Sequence, residues 1–115
     1  MDFNDLIYIR YNVRPAKPKA TMAQLVKEVT GKDDPREMTE QEERAVRDYR
    51  DRQAALSRAL VRFWTWVKEN PDDRDDDEKM LCRLDSEMSR AGFSVVDEGI
   101  TGVGDAFIEV PPQWR

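Results

Sequence analysis

Residues 39–69 read TEQEERAVRDYRDRQAALSRALVRFWTWVKE, and this stretch decides the fold of the chain. Thr39 followed by Glu42 is the pattern of a capping box, in which each side chain binds the other residue's backbone N–H at a helix start. Apolar residues then recur at alternating steps of three and four, the spacing of one helical face. Asn70 and Pro71 end the pattern. The stretch therefore predicts one long helix over about residues 40–69.

The apolar stripe of this helix changes character along its length. It runs through Val46, Tyr49, Gln53, Leu56, Leu60, Phe63 and Val67. We expect the second half, which is rich in Leu, Phe and Trp, to build the core. Gln53 marks either the point where the helix leaves the core or a register-setting polar position in a helix pair. In the second case, Val46, Tyr49 and Gln53 would form the seam of a homodimer.

The flanking segments predict two shorter helices. Residues 22–30 follow Thr21 as a cap and precede Gly31 as a stop. A third helix follows residues 72–78 and ends near Ala91, with Gly92 as its stop. Their apolar residues recur at helical spacing, so each is expected to place one face against a core.

Three segments predict a small sheet. Residues 5–13 alternate Ile7, Ile9, Tyr11 and Val13 on one face, as a half-buried strand does. Residues 93–98 and 106–110 lie on either side of a glycine-rich turn and predict a β-hairpin. The resulting order is β-α-α-α-β-β. We therefore expect residues 1–115 to form a single α+β domain of two layers, with an antiparallel three-stranded sheet packed against helices and one dominant long helix.

The charge of the chain is unevenly distributed. The net charge is −5, and residues 72–115 alone contain twelve acidic and five basic residues. Such a field repels phosphate backbones and attracts basic surfaces. Direct nucleic-acid binding is therefore not expected, whereas a protein partner with a basic surface is.

The single cysteine and the lengths of the apolar runs indicate the cellular compartment of the protein. Cys82 is the one cysteine, so an intrachain disulfide is impossible, as suits a reducing compartment. The N-terminus has no signal-peptide pattern, and no apolar run has the length of a membrane span. We expect a protein of the cytoplasm, or of a host cytoplasm, with no membrane partner.

Catalytic and cofactor chemistry find little support. The chain has no histidine, which removes the commonest general base and zinc ligand. Asp73, Asp75 and Asp77 alternate as in an EF-hand loop, but Glu78 and Leu84 occupy the positions that need glycine and glutamate. No cofactor and no resident metal are expected, and a metal-dependent enzyme using this acidic segment is the weakest hypothesis.

The candidate site is the acidic run, residues 72–78, together with one tryptophan of the long helix. Its proposed partner-binding residues are Asp72, Asp73, Asp75, Asp76, Asp77, Glu78 and Trp66. Tryptophan is enriched at interaction hot spots, and carboxylates attract basic surfaces. The alternative is a solvated loop whose acids complement the dipole of the following helix.

These observations favour a small acidic, non-enzymatic binding protein. The preferred form is an inhibitor or adaptor that docks on the basic surface of a nucleic-acid-binding protein. Phage and mobile-element anti-defence proteins, anti-CRISPR proteins among them, share this general profile. The alternative is a structural or assembly protein that self-associates through the long helix.

Overall fold

The described part of the chain is built from helices, and an irregular segment follows the last of them. A computed structural model describes residues 2–15, 21–100 and 102–103. Within these ranges the helices are α1 (Phe3–Tyr11), α2 (Met22–Thr30), α3 (Glu40–Glu69) and α4 (Asp77–Arg90). Short 3₁₀ turns at Pro35–Glu37 and Pro71–Asp73 precede α3 and α4. These ranges contain no β-strand, so the predicted α+β class is wrong and the architecture of the described residues is all-helical.

Residues 5–13 were predicted as the first strand, but residues 5–11 belong to helix α1. Asp2 caps this helix, because its Oδ1 accepts a hydrogen bond from the Asp5 N–H at 2.9 Å. Asn12 closes it in the left-handed conformation, with φ 56°. The buried residues recur at steps of three and four, as on one helical face. They are Phe3, Leu6, Ile7, Arg10 and Tyr11.

The predicted second strand, residues 93–98, is an irregular segment that packs against helices. Gly92 turns the chain out of α4 at φ 91°, and Phe93 is buried. The Val96 N–H donates to the Arg10 carbonyl oxygen at 2.8 Å, so its partner belongs to α1 and not to a strand. The predicted third strand, residues 106–110, lies outside the described residues.

Helix α3 confirms the prediction drawn from residues 39–69. Both capping-box hydrogen bonds form: the Thr39 N–H donates to Glu42 Oε1 at 3.1 Å, and the Glu42 N–H donates to Thr39 Oγ1 at 3.2 Å. The hydrogen bond from Lys32 is the main cause that lowers the pKa of Glu42, followed by the one from the Thr39 N–H. The prediction of α2 is also confirmed, with Thr21 as its cap and Gly31 beyond its end.

The chain divides into two compact units. The first comprises Met1–Pro15 with Leu56–Arg115, and the second is Ala16–Ala55. The single-domain prediction for residues 1–115 stays a prediction. In the first unit, Phe3 and Phe63 stack with centroids 5.9 Å apart, and Trp64 meets both rings edge-on. These three buried rings join α1 to the second half of α3.

The second unit buries Leu25 and Val26 of α2 and Val46 of α3. The Tyr49 hydroxyl donates to Glu28 Oε1 at 2.9 Å. Burial, together with this carboxylate, raises the pKa of Tyr49 to about 12. Val46 and Tyr49 were predicted to form part of a dimer seam. Within the chain, Val46 is buried and Tyr49 is hydrogen-bonded to Glu28.

Candidate functional site

The acidic run lies at the turn between α3 and α4. Asn70 Nδ2 donates to the Trp66 carbonyl oxygen at 2.8 Å, which closes the end of α3. Pro71–Asp73 forms a 3₁₀ turn, and α4 begins at Asp77. Four of the six carboxylates therefore stand on a short, hydrogen-bonded connection between two helices, and Asp77 and Glu78 lie in the first turn of α4.

Three of the six acids have structural contacts. Asp73 Oδ1 accepts from Lys79 Nζ at 3.2 Å, and this bond raises the pKa of Lys79. Asp76 caps α4, since its Oδ1 accepts from the Lys79 N–H at 3.2 Å. Asp77 lies against Gly102, where an added Cβ would approach the Asp77 Cβ and Cγ to 2.9 Å.

The other three acids, Asp72, Asp75 and Glu78, are exposed. Within the part of the chain that the structure describes, none of them forms an ion pair. Their charges are therefore directed to solvent. They are the part of the acidic run that is available to a partner.

Trp66 does not join the acidic run. Its indole ring is half-buried and lies beneath the guanidinium of Arg83, with the Cζ 5.7 Å from the ring centroid. An arginine over a tryptophan face is a favourable cation–π arrangement. The structure thus places the predicted anchor beside α4 and in a basic environment.

That environment is organised by a buried carboxylate, Glu87, which is 1% exposed. Arg62 Nε donates to Glu87 Oε2 at 2.8 Å, and Arg83 Nη2 lies 3.0 Å from Oε1. Arg90 Nη1 lies 3.8 Å from the same oxygen. We define the arginine surface as Arg58, Arg62, Arg83 and Arg90 with Glu87 and Trp66. Sequence reasoning missed it, although Arg83, Glu87 and Arg90 have i,i+4 and i,i+3 spacing.

A second missed cluster joins α1, α4 and the segment after α4. Arg10 binds Asp85 through two hydrogen bonds, from Nε at 2.9 Å and from Nη2 at 2.7 Å. Its Nη1 donates to the Ile100 carbonyl oxygen at 2.8 Å, and the Tyr11 hydroxyl donates to Asp85. Arg10 and Asp85 are far apart in the chain, and no sequence pattern links them.

The pKa values in this cluster follow from its contacts. Burial raises the pKa of the Asp85 carboxyl, but the hydrogen bonds from Arg10 and Tyr11 outweigh it and leave the pKa lowered. Burial, and then the hydrogen bond to Asp85, raises the pKa of Tyr11 well above its usual value. The hydrogen bond to Asp85 also raises the pKa of Arg10. These shifts keep Arg10 and Asp85 charged and Tyr11 neutral, and the cluster connects α1 to α4.

The lowered pKa of Asp85 makes part of the stability pH-dependent. This contribution is fully present above the usual pKa of 3.8 and is lost as the pH falls through the lower folded-state pKa. We expect the stability advantage of the wild type over Asp85→Asn to shrink as the pH falls from about 5 to about 2. Urea denaturation at a series of pH values measures it, and a constant difference would contradict it.

One surface pocket lies in the second unit. It has a volume of about 440 Å³ and is lined by Met22, Met38, Glu43, Val46, Arg47 and Arg50. Val46, which was predicted to face a second chain, lines this pocket. The homodimer seam of Val46, Tyr49 and Gln53 stays a prediction.

Three further observations concern the described ranges, residues 2–15, 21–100 and 102–103. No group of three acidic or cysteine side chains converges there as a metal site would require. Among the helices of these ranges, no segment combines the length and the apolar character needed to span a membrane. Cys82 is exposed.

Comparisons of this chain with protein-family models, with curated proteins and with solved structures found no match.

Proposed function

We propose that this chain is a non-enzymatic binding protein whose acidic run docks on a basic protein surface. The observation that carries this proposal is the exposure of Asp72, Asp75 and Glu78, which form no ion pair among the described residues. Their carboxylates keep their full attraction for lysine and arginine side chains. An inhibitor or adaptor of a nucleic-acid-binding protein fits this surface, since such proteins present basic patches.

The attachment of the acidic run to two helices also supports a docking role. The run is joined to the ends of α3 and α4, and Asp76 and Asn70 hydrogen-bond to the helix ends on its two sides. A preorganised loop loses less conformational entropy on binding than a mobile one. The backbone that carries the charges is therefore held by both helices before a partner binds.

The structure decides which acids to mutate. Changing Asp76 removes the cap of α4, so a binding defect in that variant could reflect a damaged helix. The informative variant is the triple substitution Asp72→Asn, Asp75→Asn and Glu78→Gln. Its matched control is Asp48→Asn, Asp51→Asn and Glu98→Gln, at exposed acids elsewhere in the chain. Both triples remove three negative charges.

We expect the acidic-run triple to lose its basic partner while the control triple retains it. The measurement is quantitative affinity capture from lysate of the native host, with wild type and both triples as baits and elution by increasing salt. A partner that leaves the acidic-run triple at lower salt than the other two baits supports the proposal. Equal retention by all three would refute it.

The proposal places the protein in the cytoplasm or a host cytoplasm. An exposed thiol such as Cys82 is compatible with a reducing interior, where free cysteines persist. Basic nucleic-acid-binding proteins are also found there.

A further inference from the structure

The arginine surface carries unused binding capacity. Glu87 is the carboxylate that Arg62, Arg83 and Arg90 share, and the side chains of these arginines are 43%, 40% and 68% exposed, respectively. Each guanidinium has five N–H donors in a planar fork. Because Glu87 can accept only a few hydrogen bonds, most of these N–H donors are not bound to it.

Arg58 extends this surface along α3. It lies one helical turn before Arg62, on the same side of the helix, and is exposed. Within the described residues it forms no ion pair. Four arginines against Glu87 give the surface a formal charge of +3, in a chain whose net charge is −5.

The surface is also held in place before any ligand arrives. Glu87 holds Arg62 by a hydrogen bond and Arg83 by an ion pair, and the Trp66 ring lies beneath the guanidinium of Arg83. Arginine forks that are fixed in this way favour planar, bidentate partners such as carboxylates. The ligand that this chemistry fits is a cluster of carboxylates.

The same helical hairpin presents such a cluster at its other end. Arg62 contacts Glu87, and Trp66 contacts Arg83, so α3 and α4 run antiparallel in this unit. The acidic run ends in the first turn of α4, and Arg83 and Arg90 follow Asp77 by about 9 and about 20 Å along the helix at 1.5 Å per residue. The hairpin is therefore acidic at one end and basic at the other.

We propose that the arginine surface binds the acidic run of a second copy of this chain. Two hairpins related by a two-fold axis would each place their acidic run on the arginine surface of the other. Such a contact is isologous and closed, and so it ends at a dimer. The partners are complementary in charge, and the association is expected to weaken steeply with salt.

This inference goes beyond the proposed function and can fail independently of it, because its test uses this protein alone. A basic partner and a second copy would compete for the same acidic run. Binding of the basic partner would then dissociate the dimer.

The test is a charge swap between two variants. The first reverses the acidic run through Asp72→Lys, Asp75→Lys and Glu78→Lys. The second reverses the arginine surface through Arg58→Glu and Arg90→Glu, which leaves the hydrogen bond of Arg62 and the ion pair of Arg83 with Glu87 in place. The control for the second is Arg44→Glu with Arg47→Glu, at exposed positions of α3 in the other unit. Circular dichroism checks that all variants keep the wild-type helix content.

Sedimentation velocity at about 50 mM and about 500 mM salt measures the dimerisation constant. We expect wild type and control to dimerise at low salt and each reversed variant to dimerise at least about tenfold more weakly. An equimolar mixture of the two reversed variants should dimerise within about threefold of wild type, because both contacts of the heterodimer are again complementary.

Three results would overturn the proposal. They are a wild type that stays monomeric at low salt, a mixture that associates no better than its components, and a control weakened as much as the arginine variant. A monomeric wild type that binds polyglutamate or inorganic phosphate would assign the surface to another ligand and would equally reject the second copy.

Discussion

Replacing Arg10 by alanine is expected to lower the free energy of unfolding by about 3–5 kcal/mol. The Arg10 side chain is 8% exposed and binds Asp85 by two hydrogen bonds and the Ile100 carbonyl by a third. Alanine would leave a largely covered carboxylate without its cation and a carbonyl without its donor. Removing one partner of such a pair costs more than the pair contributes, because the remaining charge stays desolvated.

The measurement is urea denaturation followed by circular dichroism, with two comparison variants. Arg10→Lys keeps the charge but loses the two-pronged geometry, and we expect an intermediate loss. Arg14→Ala removes an exposed arginine whose ion pair with Asp5 is 3.5 Å long, and should change stability by about 1 kcal/mol or less. If Arg10→Ala were as mild as Arg14→Ala, the cluster would not hold α1 against α4.

Replacing Phe63 by alanine is expected to destabilise the chain by a similar amount, about 3–5 kcal/mol. Phe63 is fully buried and packs against Phe3 of α1 and its neighbour Trp64. Alanine would remove both ring contacts and leave a cavity between α1 and α3. The cost combines the lost transfer free energy with the unfilled volume.

Denaturation followed by tryptophan fluorescence measures this effect, because Trp64 touches the mutated ring. Val61→Ala is the matched control on the same helix, since Val61 is 53% exposed. We expect that control to stay within about 0.5 kcal/mol of wild type. Equal effects at the two positions would mean that the Phe63 ring does not pack in the core.

The helices that the sequence predicted best are those with both a start signal and one unambiguous period. Helix α3 has the Thr39–Glu42 capping box and a long stripe at steps of three and four, and its bounds follow from these features. Helix α2 has a cap at Thr21 and a glycine at its end. In both segments the local preference and the tertiary packing agree.

Helix α1 was mispredicted because its sequence fits two periods. Ile7, Ile9, Tyr11 and Val13 alternate as in a strand, whereas Phe3, Leu6, Ile7 and Tyr11 fit a helix. Ile9 is 40% exposed, so the alternating set does not form one buried face. The missed signals were Asp2 as a cap and Arg10 on the buried face, where its partner Asp85 is visible only in the folded chain.

The candidate site was predicted in part. The exposure of the acidic run follows from its composition, but the division between structural and free carboxylates depends on contacts with Lys79 and Gly102. Trp66 is predicted to join the acids because tryptophan is enriched at interaction hot spots. The helical spacing instead turns its ring towards α4, where Arg83 covers it. The arginine surface needs the pairing of α3 with α4, which no local pattern contains.

Central to the proposed function is the binding of a basic protein surface by Asp72, Asp75 and Glu78. Its most direct test is the dissociation constant of the captured partner, measured by titration calorimetry at several salt concentrations. We predict that the affinity of the wild type falls steeply as salt rises, and that the triple variant binds more weakly with a shallower dependence. Equal affinity and equal salt dependence for wild type and triple variant would contradict the claim.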